Sequence, residues 1–260
     1  MKEKYKSGFA AIIGMPNVGK STLLNKIAGQ KIAIISEKPQ TTRNKILAIH
    51  TTDTEQIIFT DTPGIHKPHN KLGEFMVNAA NETMRDVDVL LFVIDATRPI
   101  QDVEREIVKN IAKTGLPCIL VMNKVDLVEK SNLLPMIADY SSMYDFESIV
   151  PMSAKSGDGV DVLLNDIKNY IPEGPQFYDE DMITDQPEKQ IAAEIIREKM
   201  LWLLDKEIPH GIAIEITKMQ EKEKVTNIYA TIYCEKATHK GIIIGKNGDM
   251  LKKIGSMARK

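Results

Sequence analysis

At 260 residues the chain is long for one domain and comfortable for two, and its 43% hydrophobic and 27% charged content is that of a globular protein with a proper core. No apolar run approaches the ~18 residues that cross a bilayer, and a net charge of -2 argues neither for nor against nucleic acid, since a local basic patch can hide in a neutral total. Cys118 and Cys234 lie far apart in apolar runs with no metal or redox spacing, as expected of free thiols in a reducing cytoplasm.

Met1 to Lys6 followed by the apolar run Phe9 to Ile13 has the charge pattern of a signal peptide. That run feeds directly into Gly14-Met15-Pro16-Asn17-Val18-Gly19-Lys20-Ser21, so cleavage would destroy the loop these eight residues form, and a cytoplasmic location is expected. The octapeptide reads G-x-x-x-x-G-K-[ST], the phosphate loop of nucleoside triphosphatases. Phe9 to Ile13 predicts a buried parallel strand before it, and Ser21 to Ile27 a helix after it, starting with Ser21 and Thr22 and carrying Leu23, Leu24 and Ile27 on one face. In that context glycine backbone N–H groups close around phosphate oxygens and the helix N-terminus favours negative charge. Lys20 would reach the β- and γ-phosphates, and the Ser21 hydroxyl would take one position on Mg²⁺.

Lys31 to Arg43 begins apolar and dissolves into a Pro-broken polar loop. Lys45 to Thr51 and Gln56 to Thr60 predict an antiparallel hairpin that ends in Asp61-Thr62-Pro63-Gly64. This D-x-x-G is by itself a common Asp-containing turn. One strand after a phosphate loop it becomes the second half of a metal site, with Asp61 holding Mg²⁺ through water and the Gly64 N–H contacting a γ-phosphate. His66-Lys67-Pro68-His69 has H-x-x-H spacing but no further ligand nearby, and Pro68 argues against a helix, so it reads as a loop; Lys71 to Met84 reads as a helix.

Val87 to Asp95 predicts a buried strand, Asp102 to Lys113 a helix, and Pro117 to Met122 the next strand. That strand delivers Asn123-Lys124-Val125-Asp126. A carboxylate at Asp126 can accept from guanine N1–H and the exocyclic amine together, a paired contact that adenine does not offer. Asn123 would tie the segment to the phosphate loop, and the Lys124 stem would cover the base. After a helix over Leu133 to Met143, the strand Ser148 to Met152 leads to Ser153-Ala154-Lys155, whose N–H groups could read the guanine carbonyl, and a helix over Val160 to Tyr170 comes next. Alternation of this kind predicts an α/β domain with a mostly parallel sheet and all four motifs at strand carboxyl ends.

Ile171 to Asp185, rich in proline and acids, reads as a linker (173–189) between a first domain over 1–172 and a second over 190–260. The second has a helix over Ile191 to Leu204, β-rich runs Ile212 to Ile216 and Ile228 to Tyr233, and charged Gln220 to Lys224 as a hairpin tip. Gly245-Lys246-Asn247-Gly248 is a G-x-x-G, a pattern expected about once by chance in a chain of this size. Its context is more telling: apolar flanks, and Lys236, Lys240, Lys246, Lys252, Lys253, Arg259 and Lys260 set against Asp249 alone. A tight G-x-x-G turn lets backbone approach phosphates, as in RNA-clamping KH domains, while composition alone fits a solvated basic helix nearly as well.

The motifs Gly14 to Ser21, Asp61 to Gly64, Asn123 to Asp126 and Ser153 to Lys155 resemble, in order and spacing, the guanine-nucleotide motifs of Ras-like P-loop GTPases. Thr41-Thr42-Arg43 resembles the first switch of their translation-associated Era family, with the Mg²⁺-binding threonine at Thr42, or alternatively Thr41. Ile65 replaces the water-orienting glutamine of Ras, as in that family, which implies slow intrinsic hydrolysis with water placed by a partner or a monovalent cation. Helix, hairpin and helix–GxxG–helix resemble the α+β KH domain of the same family, as do Tyr178 to Asp185 and Ala193 to Lys199.

The resemblance implies a GTP/GDP-binding, Mg²⁺-dependent switch with catalytic roles at Lys20, Thr42, Asp61 and Gly64. It further implies small-subunit ribosomal RNA and the small ribosomal subunit as partners, and a role in ribosome assembly. It also implies one more strand and helix beyond Lys260, so the KH-like sheet is expected to be incomplete. The alternative is a nucleotide-dependent adaptor whose basic second domain docks a protein or sits peripherally on the cytoplasmic membrane surface.

Overall fold

The computed structural model describes residues 4–36, 38, 41–42, 45–61, 86–205 and 208–259. They fall into two compact units, one of Met1–Ala33 with Thr42–Asp185 and one of Ile34–Thr41 with Gln186–Lys260.

Unit 1 is built on a six-stranded sheet in the order β2-β3-β1-β4-β5-β6. Its strands are β1 (Lys6–Ile13), β2 (Ile46–Thr51), β3 (Glu55–Asp61), β4 (Val89–Asp95), β5 (Cys118–Asn123) and β6 (Ser148–Pro151). All neighbours are parallel except the β2–β3 hairpin. The unbroken apolar runs of β1, β4 and β5 reflect burial on both faces. Ala10, Ile12, Leu91, Val93, Ile119 and Val121 share one core with α1 (Lys20–Ala28) and the helix Val160–Ile167. The alternate residues Ala11, Ile13, Phe92, Ile94, Leu120 and Met122 share another with α2 (Asp102–Thr114) and α3 (Lys130–Ser141). Numbered in chain order, Val160–Ile167 is α4; it ends three residues before Tyr170, where the sequence places its end.

Segment 172–184, linker-like in composition, is hydrogen-bonded to unit 1. Gln56, fully buried, accepts from the N–H groups of Phe177 and Tyr178 and donates to the Tyr178 carbonyl. Ile49 N–H donates to the Ile183 carbonyl, and the Phe177 ring lies 5.1 Å from that of Phe9. An extended segment with its backbone groups paired in this way is part of the domain surface rather than a free tether.

Unit 2 contains α5 (Glu188–Leu203), a two-stranded antiparallel sheet of β7 (Ile212–Lys222) and β8 (Val225–Cys234), α6 (Ala237–Ile244) and α7 (Asp249–Ala258). Met200, Leu204, Ile212, Ile243 and Ile254 form its core. The hairpin is longer than its apolar runs suggest: Gln220, Glu221 and Lys222 stay in register with Asn227, Thr226 and Val225, and only Glu223 and Lys224 make the turn. Backbone pairing carries the ladder past the last buried residue. The segment Ile34–Thr41 is fastened to α5 within this unit. Ile35 N–H donates to Glu198 (3.0 Å), the Trp202 indole donates to the Ile35 carbonyl (3.0 Å), and Arg197 donates to the Thr41 carbonyl. Glu198 is fully buried and paired with Lys199 at 2.6 Å, the hydrogen-bonded pairing that makes a buried carboxylate tolerable.

Candidate nucleotide site and GxxG element

The carboxyl ends of β1, β3, β5 and β6 open on one edge of the parallel sheet, where ligands of such sheets bind. The loop after β1 turns with Gly14 at φ 149° and Gly19 at φ 100°. A Cβ on Gly14 would lie 2.3 Å from the Val93 carbonyl, and one on Gly19 would lie 2.1 Å from Asn123 Nδ2. Both positions therefore need glycine for space as well as for conformation.

Lys20 is buried and donates to the Gly14 and Met15 carbonyls at 3.1 and 2.9 Å. Burial lowers its pKa to about 8, opposed by the charge of Asp61, and an anion placed beside it would raise it. Ser21 Oγ donates to Asp61 Oδ2 at 2.7 Å and lies 3.1 Å from Thr42 Oγ1. Thr41 points elsewhere, its hydroxyl donating to the Lys38 carbonyl. Asp61 is fully buried, and its Oδ1 has no hydrogen-bond partner among the described residues. Burial raises its carboxyl pKa against the lowering effects of Lys20, Ser21 and Thr42. Two hydroxyls and a buried carboxylate with a spare oxygen form a hard oxygen-donor set, which fits Mg²⁺. Among the described residues no group of three His, Cys, Asp or Glu offers a competing metal site.

Asn123, at the end of β5, stitches two motifs together. Its Nδ2 donates to the Val18 carbonyl at 2.7 Å, and its Oδ1 accepts from the Ala154 N–H at 2.9 Å. Lys124 adopts φ 66° and its Nζ donates to the Asn17 carbonyl at 2.9 Å. Val125 N–H donates to the Met152 carbonyl, while Asp126 is exposed on the short turn Val125–Leu127. Ser153 is buried and closes a turn through the Gly157 N–H; Lys155 is exposed. Thr62, Pro63, Gly64 and Ile65, the H-x-x-H and the helix expected over Lys71 to Met84 lie outside the described residues. Asp95 was not singled out by sequence reasoning, yet its carboxylate meets Lys124 at 2.6 Å. The available signal was a charged residue ending an otherwise apolar buried strand at the ligand edge of the sheet.

In unit 2, Gly245-Lys246-Asn247-Gly248 joins α6 to α7 through a tight turn with Gly245 at φ 76°, Asn247 at φ 54° and Gly248 at φ 82°. A Cβ on Gly245 would lie 2.7 Å from Met250 N, whereas one on Gly248 would meet nothing within 4 Å. Gly245 thus closes the turn, and Gly248 leaves the backbone open to approach from outside.

Comparison with known proteins covers nearly the whole chain. Residues 9–124 match the family described as 50S ribosome-binding GTPase, and residues 207–260 match the KH domain. GTPase Era of Ruminiclostridium cellulolyticum is 58% identical over 98% of this chain and 86% of its own, and GTPase Era of Clostridioides difficile is 52% identical over 98% and 87%. Among solved structures, Era in complex with MgGDPNP and nucleotides 1506–1542 of 16S ribosomal RNA superimposes with a TM-score of 0.92 at 42% identity, covering 98% of this chain and 87% of that one. An Aquifex aeolicus Era variant bound to GDP and aluminium fluoride gives the same values.

Proposed function

The chain belongs to the GTPase Era family, and on that premise we propose which of its residues hold GTP and how its second unit uses the nucleotide state. The protein binds GTP and GDP with Mg²⁺ and hydrolyses GTP. The observation that carries the site assignment is the convergence of Ser21, Thr42 and Asp61, with an unpartnered buried oxygen on Asp61. Mg²⁺, when bound there, neutralises charge that develops on the phosphates.

The backbone N–H groups from Gly14 to Thr22 cradle the phosphates, and Lys20 exchanges its loop carbonyls for phosphate oxygens. Ser21 and Thr42 would present hydroxyl oxygens to the ion, and Asp61 would hold it through water. Asp126 accepts from the guanine edge, with the Lys124 stem over the base face and the loop Ser153 to Lys155 at the carbonyl. Asn123 fixes the phosphate loop and that third loop in one geometry, so base and phosphate ends are read together. Catalytic work falls to Lys20, Thr42, Asp61 and Gly64.

The second unit binds single-stranded RNA at Gly245, Lys246, Asn247 and Gly248, and its RNA is the 3′ end of small-subunit ribosomal RNA, in ribosome assembly. Support comes from the basic segment after Lys236 and the whole-chain similarity to an Era that holds such an RNA. The match described by the 50S subunit spans the nucleotide domain alone, so the whole-chain relatives guide the choice of RNA. The protein acts in the cytoplasm, where ribosomal RNA is found. No helix among the described residues is long and apolar enough to cross a membrane.

The nucleotide state reaches unit 2 through the chain itself. Thr42 is peptide-bonded to Thr41, which α5 holds through Arg197. A displacement of Thr42 on nucleotide exchange would therefore be passed along the chain to a segment already fastened to the RNA-binding unit.

The test is binding of a single-stranded RNA matching the small-subunit 3′ end, with GTP analogue and with GDP, by the protein and its Gly248→Asp variant. Selective binding that the variant loses, and that differs between nucleotides, is expected. Equal affinity in both nucleotide states refutes the coupling. Binding indifferent to base sequence, or transferred to anionic vesicles, refutes the RNA assignment in favour of a surface adaptor.

A further inference from the structure

We propose that Asp95 is a positioning residue for guanine-nucleotide retention, holding Lys124 against the phosphate loop. The proposal rests on the reading of Asn123 to Asp126 as the base-binding segment. Asp95 ends β4 at the ligand edge of the sheet, paired in register with Asn123 on β5, and is 6% exposed. Its two oxygens are divided between tasks. Oδ1 accepts from the Thr97 N–H (3.0 Å) and hydroxyl (2.6 Å), an arrangement that fixes the carboxylate plane. Oδ2 takes the Lys124 ammonium at 2.6 Å, with Arg98 Nε 3.2 Å away.

The same ammonium donates to the Asn17 carbonyl at 2.9 Å. Lys124 is thus a bridge with a fixed anchor at one end and the phosphate loop at the other. Lys124 (φ 66°) adopts left-handed backbone that a lysine occupies only when its surroundings hold it there, and Asn17 (φ 64°) lies in the same region, which asparagine visits readily. A charge-assisted bond from a buried carboxylate is the strongest restraint in reach of Lys124. Without it the lysine retains one neutral carbonyl, and its stem is free to leave the base face.

Asp95 lies beneath the bridge, and its carboxylate is fully engaged by protein groups. Its influence on the nucleotide therefore runs through Lys124, and a loss at Asp95 is felt mainly as faster release, because restraints lost from a bound state appear in the off-rate.

The experiment measures dissociation of fluorescent GDP from the protein carrying Asp95→Asn, Lys124→Ala, or both, with thermal midpoints as the fold control. Asparagine keeps the acceptor for Thr97 and removes the charge that holds Lys124. We expect release roughly tenfold faster or more in Asp95→Asn. In the Lys124→Ala background the same change should add less than about twofold, because the group that Asp95 holds is already gone. Release within twofold of the parent, or rate factors that multiply in the double variant, would overturn the proposal. Asp126→Asn tests the underlying reading separately: if it leaves guanine preference intact, the base-segment assignment fails whatever Asp95 does. If preference shifts and Asp95→Asn is silent, only the present proposal fails.

Discussion

Gly19→Ala is the most demanding test of how the phosphate loop is held. A methyl group there would lie 2.1 Å from Asn123 Nδ2, and the backbone sits at φ 100°. The methyl cannot be accommodated unless the Asn123 amide leaves. The amide now satisfies two buried groups, the Val18 carbonyl and the Ala154 N–H, on residues that are 0% and 2% exposed. Left-handed strain on alanine costs about 1–2 kcal/mol, and each buried group left without its partner about 1–3 kcal/mol. The central expectation is a loss of about 4–6 kcal/mol from unit 1. At about 2–4 °C per kcal/mol for a domain of this size, the midpoint falls by roughly 10–20 °C.

Because the penalty runs through Asn123, it is shared with Asn123→Ala. The double variant should cost about 2–4 kcal/mol less than the sum of the singles. The Ala154 amide offers a local readout by hydrogen exchange, since it loses its acceptor in either variant; protection should fall by at least about tenfold. Additive costs, or parental Ala154 protection in Gly19→Ala, would refute the shared role of Asn123.

Asp126→Asn exchanges one acceptor oxygen for a donor facing the guanine edge, and should cut the preference for guanine over adenine nucleotides by at least about 100-fold in competition binding. A Cβ at Gly248 meets nothing within 4 Å, so Gly248→Asp carries only the left-handed strain of its φ of 82°, about 1–2 kcal/mol, and should keep its helical signal while lowering RNA affinity by about tenfold or more. Gly245→Asp collides with Met250 and should lose helical signal as well. Burial holds His50 below its ordinary pKa of 6.5, with Glu55 raising it and Lys168 lowering it. The unfolded chain therefore binds that proton first, so stability is full above about pH 6.5 and declines as pH falls below it. Denaturant titrations of His50→Gln should show a shallower loss as pH falls below about 6.5.

The phosphate loop was legible because its requirements are local: eight consecutive residues contain the positive-φ glycines, the lysine and the hydroxyl that one turn needs. Strand runs in unit 1 were equally plain, since burial on both faces removes every polar residue from β4 until Asp95. Strand ends were less so: the β7–β8 ladder runs through charged Gln220 to Lys222 because backbone hydrogen bonds, not side-chain polarity, decide where a hairpin turns. Composition likewise marked 173–189 as a linker, although Gln56, more than a hundred residues earlier, gives Phe177 and Tyr178 within it their hydrogen-bond partners.

The sequence alone determined the chemistry of this protein, a nucleotide site with four motifs in order and a basic G-x-x-G after it, because each motif carries its own geometry. Tertiary structure decided which residues make those motifs act as one. It brought the Thr42 hydroxyl to 3.1 Å from that of Ser21, set Asn123 in the space that Gly19 leaves, placed Asp95 under Lys124, and grouped Ile34–Thr41 with α5. These pairings join residues far apart in the chain, and their energies depend on distance and burial. Neither quantity exists until the chain has folded.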